Sequence, residues 1–236
     1  MTGILAIDTA TDACSVAVHA ADETREIYEI IPRGHSRRLF GMLQSLLPDG
    51  RLRDHGIDAI AYSCGPGSFT GLRICASAVQ GLAYTNELPA IAVSTLALQA
   101  QTALRLGNVA SGDIVLSTID ARINEVYYAL FRFEDGIAVM LQGPEACAPE
   151  GVDVAADILH VQAVGSGCRF LEKFPLQLRS RLQAVHPELL PAAQDLVPLA
   201  LAAYARGEVQ QPQQVQPLYV RDEISWKKLA EQGKAV

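Results

Sequence analysis

Three short stretches of this chain carry residue types that handle phosphate. The first is Asp8-Thr9-Ala10-Thr11, where an apolar run ends in a carboxylate and two hydroxyls follow. Such a turn between strands offers Asp8, Thr9 and Thr11 to a phosphate or a metal, or merely satisfies its own backbone. The second is Gly65-Pro-Gly-Ser-Phe-Thr-Gly-Leu-Arg73, a tight turn feeding a helix N-terminus with Ser68 or Thr70 placed to cap it. Free backbone N–H groups at that junction can receive an anion or allow close packing. The third is Gly165-Ser166-Gly167 after an apolar strand, a weak nucleotide-loop signal from Gly165 and Gly167 alone. None of them completes a known phosphate site. The second loop lacks the Gly-Lys-Ser/Thr of a P-loop and the G-x-G-x-x-G spacing of a dinucleotide site. Cys64 beside it has no histidine to name as its base and reads as structural. His35, His55, His160 and His186 form no metal-ligating pair, and the five cysteines form no CxxC. Asp120, Arg122 and Glu125 follow a strand as a polar cluster, lining a cleft or forming a solvated turn.

Periodicity supplies the elements that position these residues. Residues 3–8, Cys14 to His19 and 24–31 read as strands. His35 to Leu47 reads as a helix with Leu39, Met42, Leu43, Leu46 and Leu47 at helical spacing. Ile57 to Ser63 is a strand leading into the glycine loop. Residues 69–84 form a helix with a stripe of Leu72, Cys75, Val79 and Leu82, and with small residues over much of its circumference. Pro89 to Val93 is a strand, and Ser94 caps a helix reaching Leu106. Strands follow at Ile114 to Asp120, Glu125 to Phe133 and Ile137 to Leu141, the last two joined at Asp135-Gly136. Val161 to Val164 is another strand. Asp195 caps a helix ending near Arg206, residues 209–217 read as a linker, and Leu218 to Val220 is a last strand.

The alternation is that of an α/β fold. The composition shift at Gly107-Asn108 divides it into a first lobe, 1–107, and a second, 108–217, with 218–236 returning toward the first. The halves share an order of elements but no strict sequence repeat. Half of the 236 residues are hydrophobic, so a large core can be buried. A net charge of −7 argues against holding nucleic acid by a global field. No apolar run reaches the length of a membrane span, and Met1 to Asp8 lacks the pattern of a signal peptide. A cytoplasmic protein is expected.

The ordered set of motifs resembles one family. Ile4-Leu-Ala-Ile-Asp-Thr-Ala-Thr11, His35-Ser36 opening a Leu-rich helix, the glycine loop 65–73, Asp120-Ala-Arg-Ile-Asn-Glu-Val-Tyr127 and Pro217-Leu-Tyr-Val-Arg221 are similar to TsaB, also called YeaZ. The resemblance implies an actin-like ATPase (ASKHA) fold of two related lobes with mixed sheets flanked by helices. It implies a non-catalytic scaffold, a degenerate copy of the catalytic subunit TsaD, since TsaD's metal-binding histidine pair is missing. The family pairs with TsaD, and with the ATPase TsaE, to place threonylcarbamoyl on a tRNA adenosine beside the anticodon. tRNA is then met only through the complex, and a homodimer forms when the subunit is alone. No cofactor is implied, with ATP or ADP at most weakly held or shared at the TsaD interface. Helices 35–47 and 69–84 are the implied partner surface, with His35, Leu39, Phe40, Leu43, Leu72, Cys75, Ala76 and Val79 as its expected positions. Leu72→Glu should then break the heterodimer. The alternative is an ATP-dependent phosphotransferase using Asp8 and the two glycine loops. A metallopeptidase is disfavoured by the same missing histidines.

Overall fold

The computed structural model describes residues 2–220, so Arg221, Trp226 and Lys227-Lys228 of the expected tail lie outside it. In chain order the first half runs β1 (Ile4–Asp8), β2 (Ala13–Ala20), β3 (Glu23–Ile30), α1 (His35–Leu46), β4 (Ala59–Gly65), α2 (Phe69–Asn86), β5 (Ala90–Ser94) and α3 (Thr95–Arg105). The second runs β6 (Val115–Arg122), β7 (Glu125–Glu134), β8 (Ile137–Cys147), β9 (Val161–Val164), α4 (Leu176–Arg179), β10 (Leu182–His186) and α5 (Leu196–Ala205). Short 3-10 turns punctuate both, the longest being Ser166–Lys173.

The strands form two five-stranded sheets, ordered β3-β2-β1-β4-β5 and β10-β9-β6-β7-β8. In the first, β1 pairs antiparallel with β2 and parallel with β4, β2 pairs antiparallel with β3, and β4 parallel with β5. The second repeats each pairing, with β6 in the place of β1. The halves are therefore topological copies, although their sequences carry no readable repeat. The duplicated plan is two related lobes, each a mixed five-stranded sheet with helices against it.

The core explains the plan. α3 and α5 lie between the sheets, and Leu96, Leu98, Ala100, Leu196 and Ala200 meet Ala61 and Val93 of the first sheet and Val115 and Phe131 of the second. The outer face of the first sheet, with Ile7, Val16 and Tyr62, is covered by α1 and α2. That of the second, with Val126, Tyr128 and Leu130, is covered by Phe174 and Leu178.

Some expected elements differ. Leu218 to Val220 forms no strand; the Leu218 amide instead donates to the Cys64 carbonyl at 2.7 Å. The return to the first lobe starts well before 218, because α5 packs on β1, β4 and β5, and Gln210 bridges to Ala90. α5 thus packs on the first sheet as well as on the second. Ser94 and Asp195 sit at the N-cap positions of α3 and α5 without capping them. The Asp195 carboxylate accepts instead from the Thr102 hydroxyl at 2.7 Å and from Arg105 at 2.6 and 3.0 Å. These contacts lock α3 to the start of α5, and a charge pair with two hydrogen bonds, joined by the Thr102 hydroxyl, outcompetes a single cap.

Candidate functional site

Asp8, at the end of β1, is wholly buried. One carboxylate oxygen accepts from the Ala10 amide at 3.1 Å and from the Ser63 hydroxyl, while the other is buried without a partner. Burial pushes its carboxyl up to about 6, against the lowering pull of the Ser63 and Ala10 hydrogen bonds. An acid whose folded value lies above its ordinary 3.8 binds protons more tightly when folded. Its contribution to stability is therefore intact below pH 3.8 and is lost as pH rises toward 6, by up to about 3 kcal/mol. Asp8→Asn should accordingly stabilise the chain at pH 7–8, and the gain should vanish below about pH 4. Denaturant melts across that range check it; a gain independent of pH would contradict the buried ionisation.

The rest of the phosphate-like hairpin is occupied by the chain itself. The Thr9 hydroxyl donates to the Gly71 carbonyl at 2.8 Å, and Thr11 accepts from the Ala13 amide at 3.3 Å. The Ser68 amide donates to the Ala10 carbonyl at 2.7 Å, and the Ser68 hydroxyl caps α2 by accepting from Gly71 at 3.3 Å. A Cβ on Gly67 would lie 2.4 Å from the Ala10 carbonyl oxygen, and one on Gly71 2.0 Å from that of Thr9. These glycines let α2 begin against the β1–β2 turn. Carbonyl oxygens thus stand where an anion cradle needs donors.

Gly165 and Gly167 also serve packing. Gly165 has φ +91°, and a Cβ there would lie 2.1 Å from the Gln99 amide nitrogen and 2.2 Å from the Thr118 carbonyl. Gln99 donates from that nitrogen to the Ser117 hydroxyl at 2.9 Å and the Thr118 carbonyl at 3.1 Å, tying α3 to β6. Cys64 is buried, and burial pushes its thiol up to about 11, away from nucleophilic use at neutral pH. Among the described residues no three His, Cys, Asp or Glu side chains are grouped to hold a metal.

The helices α1 and α2 present a different kind of site. Of the eight expected interface positions, Phe40 stands outward, 61% exposed. His35, Leu39, Leu43, Leu72, Cys75, Ala76 and Val79 are buried within the chain. His35 is held by the Ala13 carbonyl at 3.1 Å, Cys75 donates to that of Ile7, and the apolar stripes of both helices lie on the first sheet. Leu72→Glu would place a charge in this chain's own interior, so it tests folding rather than association. A helix against a sheet turns its most regular apolar stripe inward, so the stripe read from periodicity is the sheet-facing one.

What faces outward is sparser. Phe69 is 50% exposed and Tyr84 67%. Between them α2 exposes Arg73, Ser77, Gln80 and Gly81, with Ile74 and Leu82 half-buried. Gly81 matters most, because nothing lies within 4 Å of where its Cβ would be. Its helix gives up about 1 kcal/mol relative to alanine for a flatness this chain does not need. At one end, Phe40, Leu43, Gln44, Leu47, Leu52 and Leu82 line a shallow pocket of about 290 Å³. At the other, the Arg73 guanidinium lies 3.8 Å over the Phe69 ring and donates to the Tyr219 hydroxyl at 3.2 Å. Gly81 was readable in the sequence as a glycine in the middle of a long helix. Tyr84 and Phe69 were not, being lone aromatics among polar neighbours.

The chain is similar to known proteins over most of its length. The chain matches the TsaD family model, tRNA N6-adenosine threonylcarbamoyltransferase, over residues 25–169. It is 40% identical to the tRNA threonylcarbamoyladenosine biosynthesis protein TsaB of Escherichia coli, over 96% of this chain and 97% of that one. The Haemophilus influenzae protein of the same name is 32% identical over 96% of each. Among solved structures, YeaZ from Pseudomonas aeruginosa superposes with a TM-score of 0.85 at 39% identity, covering 93% of this chain and all of that one. With kinship of this strength over nearly its whole length, the chain belongs to the TsaB family of tRNA threonylcarbamoyladenosine biosynthesis proteins.

Proposed function

We propose that the chain is a non-catalytic scaffold subunit of the cytoplasmic complex that transfers threonylcarbamoyl to a tRNA adenosine beside the anticodon. It binds a TsaD subunit through the outer face of α1 and α2, stabilises it, and helps recruit TsaE. The observation that carries this reading is the low, partly aromatic face of α2. Phe69 and Tyr84 stand exposed on either side of a glycine that no contact within the chain requires. Such relief suits close approach of another subunit's helix, with the aromatics as anchors. Alone, two copies of the same face can pair isologously.

The phosphotransferase reading fits the geometry less well. Two amides of its first loop, those of Ser68 and Gly71, donate to the Ala10 carbonyl and the Ser68 hydroxyl, and the space beside its glycines is taken by carbonyl oxygens. Reconstitution tests the choice. TsaD and TsaE should form modified tRNA with this chain and lose most of that activity without it. The chain alone should neither bind ATP·Mg tightly by calorimetry nor turn it over. Tight ATP binding with turnover by the lone chain would favour the phosphotransferase.

A further inference from the structure

The last described residues form a strap pinned beside α2 from one end to the other. Near the end of the helix, the Gln210 amide and carbonyl pair with Ala90 at 2.8 and 2.9 Å. The turn Pro212–Gln214 packs on α2. The Tyr62 hydroxyl donates to the Gln216 carbonyl at 3.3 Å, and the Leu218 amide donates to that of Cys64 at 2.7 Å. Tyr219 then meets the start of the helix. Its ring lies 5.8 Å from that of Phe69, and its hydroxyl accepts from Arg73 at 3.2 Å.

The sequence continues from this point with residues 221–236. Phe69, Arg73, Ser77, Gln80 and Tyr84 mark an exposed stripe along α2. From Phe69 to Tyr84 the stripe is about 22 Å long at the helical rise. Seven extended residues span about 23–25 Å. A chain leaving Tyr219 can therefore bring Trp226, the single tryptophan of the sequence, as far as Tyr84. There a groove of about 630 Å³ lies between Tyr84 and Leu88 on one side and Val209, Pro212 and Gln213 of the strap on the other. Glu87 is exposed at its rim, and among the described residues no cation pairs with its carboxylate. Lys227 and Lys228 follow Trp226 directly.

We propose that residues 221–236 turn back along α2 and seat Trp226 in this groove, with Lys227 and Lys228 beside Glu87. The chain then covers part of its own partner face until TsaD displaces the segment. Tethering at Tyr219 makes the contact intramolecular, at an effective concentration near millimolar, so a weak seat suffices. An indole supplies a large apolar body for the groove, and the two lysines supply the charge its rim lacks. The covering role rests on the scaffold reading; the seat of Trp226 does not.

Trp226 fluorescence reads the seat without any partner. The full chain is compared with a peptide of residues 221–236. Its emission should be blue-shifted against the peptide, and acrylamide should quench it several-fold less, equally at every protein concentration. Tyr84→Ala and Glu87→Lys, both at exposed positions, should bring the readings toward those of the peptide. A chain ending at Val220 should bind TsaD about threefold or more tightly, because a face closed most of the time is open for only the remainder. Peptide-like quenching of the full chain overturns the proposal, as does protection indifferent to both substitutions. Protection that grows with protein concentration assigns the groove to a second copy and overturns it too. Equal or weaker TsaD binding by the shortened chain overturns the covering role. A full chain and a shortened chain that both fail to bind TsaD, with Trp226 protected, strike the scaffold reading and leave the seat standing.

Discussion

Gly81→Arg should make the folded chain more stable and unable to hold its TsaD partner. The position lies inside α2, five residues before its end at Asn86, is exposed, and has open space where a side chain would grow. Arginine is a good helix former, so the change is worth about +1 kcal/mol to the helix. In a domain of this size that raises Tm by roughly 2–4 °C. In a helix–helix contact the same side chain would bury an unpaired charge, at a cost of about 3–5 kcal/mol. Affinity should then fall by roughly 100-fold or more. Thermal melts and calorimetric titration with TsaD read the two effects separately. A stabilised variant that still binds TsaD normally would move the partner surface off α2.

The opposite sign is expected ten residues earlier. Gly71→Ala adds the same kind of atom to the same helix, but its Cβ would meet the Thr9 carbonyl oxygen at 2.0 Å. That oxygen is backbone, so α2 or the β1–β2 turn must shift, and the Thr9–Gly71 hydrogen bond goes with it. The expected loss is about 3 kcal/mol or more, a fall in Tm of roughly 6–12 °C. A melt within a degree or two of wild type would show that the junction gives way easily. The pair of variants separates two glycines of one helix: Gly71 makes room for the chain's own backbone, while Gly81 has open space beside it.

Much of this architecture was legible in the sequence, and the limits have physical causes. Alternation and turn residues located β1 to β5, both flanking helices and the glycine loop, because each joins an apolar pattern to strong punctuation. β10 and the 3-10 turn Ser166–Lys173 were not anticipated, being short and weakly periodic. The duplication of the lobes is invisible in the residues, since a sheet constrains pairing order more than side-chain identity. The site was legible only in part. The eight interface positions came with the family resemblance, and seven of them are buried within the chain. The outward face consists of isolated residues, Phe40, Phe69, Tyr84 and Gly81, with no period of their own. The β6–β7 hairpin turn at 123–124 was visible only through the polar cluster Asp120, Arg122 and Glu125 around it.

One measurement bears most directly on the claim that the first-lobe helices, and not the cleft, are where this chain acts. Hydrogen–deuterium exchange of the chain with and without TsaD reads every segment at once. Slowed exchange across 35–46 and 69–86, with 8–11 and 165–167 unchanged, is the expected result. Protection confined to the cleft segments, or no protection anywhere in a mixture that modifies tRNA, would contradict it.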